Sequence, residues 1–135
     1  MSSIFRGASP RPVVIVDDDA DFVAILREGV RDAGYRPIWA RDGREALSAI
    51  TDERPAAVLV DVEILELNGF DLLATLERSP VLSRIPRVIV TRAATFATWY
   101  PTASPVVGTR VGLARLLKMI RRLAGPTVRL DAQWA

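Results

Sequence analysis

Short, uninterrupted apolar runs alternate along this chain with longer stretches in which apolar residues recur every three or four positions. Val13-Val14-Ile15-Val16 and Ala56-Ala57-Val58-Leu59-Val60 read as buried strands. The full pattern predicts strands near 12–17, 36–40, 56–61, 86–91 and 104–108, and helices near 20–33, 43–53, 69–78 and 111–124. That alternation is the signature of βα units around a parallel sheet. The first helix carries an apolar stripe of Phe22, Ile25, Leu26 and Val30, and Gly34 stops it. Asp42-Gly43 turns the chain into the second helix, with Ala46, Leu47 and Ile50 inward, and Asn68-Gly69 opens the third, with Phe70, Leu73 and Leu76 inward. The last helix buries Leu113, Leu116, Leu117, Ile120 and Leu123, shows Arg115, Lys118, Arg121 and Arg122 to solvent, and ends at Gly125-Pro126.

One interval breaks the rhythm. Parallel strands need a long crossover, yet residues 92–103 are few, rich in threonine and aromatic residues, and closed by Pro101 and Pro105. A shortened or missing fourth helix is expected between the last two strands. Phe96, Trp99 and Tyr100 there either pack over the gap or anchor a partner. Residues 1–11 and 126–135 are expected to be tails around one domain spanning 12–125.

The 135 residues suffice for one domain with a sizeable core. No apolar stretch is long enough to span a bilayer, and the first residues lack a secretory signal. With no cysteine, the cytoplasm is the expected compartment. The absence of histidine excludes Ser-His and Cys-His catalytic pairs, imidazole zinc sites and any phosphohistidine relay within the chain. The net charge of +2 hides an asymmetry. Residues 1–78 hold nine basic and fifteen acidic groups, whereas residues 79–135 hold nine basic and one acidic.

The chemistry lies where the strands end. The first run ends in Asp17-Asp18-Asp19 and the third strand in Asp61, which puts several carboxylates at one sheet edge. Like charges so placed raise one another's pKa values unless a cation relieves them, and Mg²⁺ is the oxygen-seeking ion suited to the task. Helix capping explains Asp19 or Asp21 but not Asp61 at another strand. A carboxylate beside Mg²⁺ can attack phosphorus, and Thr91, ending the fourth strand, offers a hydroxyl to a phosphoryl oxygen.

Val13 to Asp19, Val58-Leu59-Val60-Asp61, Asn68-Gly69-Phe70-Asp71 and Ile89-Val90-Thr91 together resemble the receiver domain of two-component response regulators, over roughly residues 12–124. The resemblance implies a flavodoxin-like, doubly wound α/β fold, a five-stranded parallel sheet in the order 2-1-3-4-5. It implies Asp61 as phosphoacceptor and Thr91 as switch hydroxyl. Mg²⁺ would be held by Asp17, Asp18, Asp61 and the backbone carbonyl of Glu63. The implied partners are a histidine kinase or phosphotransfer protein and a downstream protein target, with a homodimer left open and neither membrane nor nucleic acid expected. No enzymatic activity is implied beyond self-phosphorylation and self-dephosphorylation at Asp61.

The chain departs from that family on the signalling side. The usual Lys-Pro after the fifth strand is replaced by Thr109-Arg110, which leaves Arg92 and Arg110 as candidate substitutes for the lysine. Val106 stands where an aromatic switch residue is expected, and Leu65 where a proline is common. The expected function is therefore a stand-alone phosphoacceptor receiver, with a phosphorylation-independent pseudo-receiver that binds proteins as the alternative. A phosphatase-like enzyme of the haloacid dehalogenase type is a distant third, since Asp61-Val62-Glu63 only faintly matches its paired aspartates.

Overall fold

The apolar runs become five strands: β1 (Pro12–Val16), β2 (Arg36–Ala40), β3 (Ala57–Asp61), β4 (Arg87–Thr91) and β5 (Val106–Gly108). They form one sheet in the order β2-β1-β3-β4-β5, with every neighbouring pair parallel. The structure is a computed structural model that describes residues 10–62, 67–91, 102–108 and 111–125, with residues 67–70 given as backbone. The described helices are α1 (Ala20–Asp32), α2 (Gly43–Glu53), α3 (Leu67–Arg78) and α4 (Leu113–Ala124), with a 3-10 turn at Leu82–Arg84. The expected loss of a crossover helix between β4 and β5 falls outside the described residues, as do residues 1–9 and 126–135.

Strand side chains alternate faces, so each run feeds two cores. Val14, Val16, Val58, Val60 and Ile89 pack with Ala46 and Ile50 of α2 and with Leu72, Leu73 and Leu76 of α3. Their neighbours Val13, Ile15, Leu59, Val88 and Val90 pack on the other side with α1 and α4. This double burial is why the central strands are unbroken apolar runs rather than polar–apolar alternations. β5 is an edge strand, and its Val106 and Val107 are only half-buried.

The helix ends follow local chemistry. Asp19 caps α1 by accepting from the N–H groups of Asp21 and Phe22, and Asp42 caps α2 by accepting from that of Glu45 at 2.8 Å. Gly34 ends α1 at φ 97°. There the Tyr35 N–H donates to the Val30 carbonyl and the Gly34 N–H to that of Arg31, the paired bonds of a Schellman turn. α3 starts at Leu67, so Asn68 and Gly69 lie inside the helix rather than opening it.

The inward stripe of α1 differs from the sequence expectation. Val23, Leu26 and Val30 are buried, whereas Ile25 is 56% exposed. Both readings satisfy a three-to-four residue period, and only packing against the sheet chooses between them. α4 buries Leu116, Ile120 and Ala124, with Leu113, Leu117 and Leu123 half-buried at its margins. Its C-terminal end is tied to the start of the domain, because the Arg11 guanidinium donates to the Ala124 carbonyl and the Tyr35 hydroxyl to that of Gly125.

Candidate functional site

In this strand order the chain's progress across the sheet reverses between β1 and β3, and a crevice opens there beyond the carboxyl ends of the strands. Asp17 directly follows β1, and its N–H donates to the Ala40 carbonyl at the end of β2. Asp61 is the last residue of β3, next to Val90 of β4 in register. Thr91 is the last residue of β4. The two carboxylates and the hydroxyl predicted from the sequence therefore stand on three adjacent strands at one edge. All three are buried, with 1%, 4% and 3% of their surface exposed, and neither Asp61 nor Thr91 is without a polar partner. Asp18 is exposed.

Burial dominates the electrostatics. The Asp17 carboxyl is pushed up to about 6 from 3.8, first because it is withdrawn from water. The Asp19 N–H, donating to its Oδ1 at 2.9 Å, partly offsets this, while the negative charges of Asp61, Asp19 and Asp18 push it further up. Asp17 and Asp61 thus feel each other across the β1–β3 crevice. Yet among the described residues no three acidic groups are gathered into a metal cage. That donor set is what a small hard cation tolerates, since Mg²⁺ usually takes one or two protein carboxylates and keeps several waters.

Two neighbours of the site were not read from the sequence. The Trp39 indole N–H donates to the Asp17 carbonyl at 2.7 Å, and the Arg41 guanidinium lies 4.6 Å from the centre of the Trp39 ring. Trp39 braces the backbone that carries Asp17 and Asp18. Only the β1–β2 register, with Ile15 beside Trp39, brings it there, so no local sequence signal marks it. The candidates Glu63, Arg92 and Arg110 lie outside the described residues, as do Phe96, Trp99 and Tyr100.

A doubly wound parallel sheet with two buried carboxylates at the carboxyl ends of its strands defines the class of α/β domain to which the chain belongs. The chain belongs to the response regulator receiver domain family, whose profile matches residues 13–100. It is 41% identical over 68 residues to the transcriptional regulatory protein PrrA of Mycobacterium tuberculosis, a match covering 50% of this chain and 29% of PrrA. The chain thus spans less than a third of that relative's length. It is 32% identical over 82 residues to the polar-differentiation response regulator DivK of Brucella anthropi, covering 61% of this chain and 67% of DivK. In fold it matches the receiver domain of a sensor histidine kinase from Pseudomonas aeruginosa with a TM-score of 0.75, at 19% identity and over 86% of this chain and 98% of that one. That structure has a magnesium ion coordinated in its active-site cleft.

Proposed function

We propose that this receiver domain accepts a phosphoryl group on Asp61 and signals through protein contacts in the cytoplasm. The observation that carries this reading is the pairing of two buried carboxylates, Asp17 and Asp61, across the β1–β3 crevice, with Thr91 on the next strand. Such a pair is costly to keep charged unless a cation joins it. Asp17 and Asp61 would hold Mg²⁺ with the Glu63 carbonyl, and Asp18, exposed and not gathered with them into a three-carboxylate cage, would reach the ion through water. The ion would neutralise charge on the incoming phosphoryl oxygens.

The reaction itself belongs to Asp61. One of its carboxylate oxygens attacks phosphorus of a phosphohistidine or a small phosphodonor. The donor's bond to phosphorus breaks, its electron pair leaves with the donor, and Asp61 becomes an acyl phosphate. The donor histidine belongs to a kinase or phosphotransfer partner, because this chain has none. Asp17 would hold the cation beside Asp61, Thr91 would donate its hydroxyl to a phosphoryl oxygen, and Arg92 or Arg110 would supply the positive charge that a lysine otherwise brings.

Intact mass after incubation with Mg²⁺ and a small phosphodonor tests the reading. A phosphoryl adduct is expected on the wild type and not on Asp61→Asn. An unlabelled wild type, under conditions that label an ordinary receiver, would instead favour the phosphorylation-independent interaction module. The replacement of Lys-Pro by Thr109-Arg110 is the specific observation behind that second reading.

A further inference from the structure

On the face carried by α1 and α4, the charge asymmetry of the chain becomes a surface. The two helices touch closely: a Cβ at Gly29 of α1 would come within 2.5 Å of Leu117 Cδ1 on α4. Beside that contact lies an open groove of about 720 Å³. Its α1 wall presents Ile25, Glu28 and Asp32, and its α4 wall presents Leu117, Lys118 and Arg121. Ile25 is one of only two large apolar side chains strongly exposed among the described residues. Glu28, Asp32, Lys118 and Arg121 form no ion pair among the described residues; the pair between Arg36 and Glu53 lies elsewhere. Arg31, the nearby cation of α1, does not line the groove.

One acidic wall and one basic wall flanking an apolar floor make a self-complementary patch. A two-fold axis running along the groove exchanges the walls, so the acidic stripe of each copy falls on the basic stripe of the other. A ligand of a single sign, such as nucleic acid or an anionic membrane, would be repelled by Glu28 and Asp32 while attracted by Lys118 and Arg121. We propose that this groove is the contact between two copies of the chain. Glu28 and Asp32 of each copy face the partner's Lys118 and the partner's Arg121, and Ile25 is covered by the other copy's α4. This pairing requires neither phosphorylation nor a metal.

Sedimentation of the full chain over a concentration series, with two charge-reversed variants, tests it. Wild type should self-associate, more weakly as salt is raised. Glu28→Lys with Asp32→Lys makes both walls basic, and Lys118→Glu with Arg121→Glu makes both acidic. Each should weaken self-association by at least about tenfold, since like charges then oppose one another at both contacts. Mixing the two variants places opposite charges at both contacts again and should restore a dimer containing one copy of each. Circular dichroism of each variant checks that the fold is kept, and restored pairing itself shows that both remain folded. A wild type that stays monomeric across the series, or a mixture that stays monomeric while wild type pairs, would overturn the proposal.

Discussion

At the scale of single residues, Asp17 is held in conflict. It is buried at the end of β1 beside another buried carboxylate, and its carboxyl is pushed up to about 6 by withdrawal from water and by the charges around it. The folded protein therefore holds a proton that the unfolded chain releases between about pH 4 and pH 6. Ionised Asp17 subtracts stability as the pH rises through that window, and above it the loss is complete. Asp17→Asn should stabilise the cation-free protein by about 1–3 kcal/mol at neutral pH. The gain should fade towards pH 4, and urea denaturation at both pH values checks it; equal stability at neutral pH would count against the strain described. Trp39→Phe keeps the ring but removes the donor to the Asp17 carbonyl, and should cost about 1 kcal/mol. Asp17, Asp61 and Thr91 were readable from the chain because each ends an apolar run. Trp39 was not, because its partner lies on a neighbouring strand and register is not a local property of sequence.

At the scale of elements, strands and helices fell close to their expected positions because burial period and caps agree with each other. Disagreement arose where two periods fit, as with Ile25 against Val23 in α1. A second hidden feature is Arg87, a buried arginine at the start of β4. Its guanidinium donates to the carbonyls of Leu82, Ser83 and Ile85 and so fastens the 3-10 turn between α3 and β4. The sequence shows only an arginine beginning a strand, because the carbonyls it serves are exposed by the turn's geometry. Arg87→Leu strands those carbonyls and should destabilise the fold by about 2–3 kcal/mol. Exposed Arg84→Ala, in the same turn, should change stability by less than about 0.5 kcal/mol. Chemical denaturation of the pair checks this, and equal effects would remove the assigned role. Asp42→Ala should cost about 1 kcal/mol through the lost cap of α2.

At the scale of the whole molecule, the C-terminal end of the domain is tied to its start through Arg11 and to the approach of β2 through Tyr35. The Tyr35 hydroxyl donates to the Gly125 carbonyl, ninety residues away, while Arg11 serves Ala124 beside it. Tyr35→Phe should cost about 1 kcal/mol and speed amide exchange in the last turn of α4, with the sheet centre unaffected. Strand order was not derivable from periodicity, since five buried runs can be ordered in many ways; it was anticipated through the resemblance of the motifs. That order sets Asp17 and Asp61 on adjoining strands, and the proposed chemistry rests on their meeting. The most direct measurement is a Mg²⁺ titration of the full chain followed by amide NMR shifts. Saturable shifts concentrated at residues 17–19 and 61, and abolished in Asp17→Asn, are the predicted result. No shifts at those residues, or shifts that persist unchanged in Asp17→Asn, would contradict a cation site between the two strands.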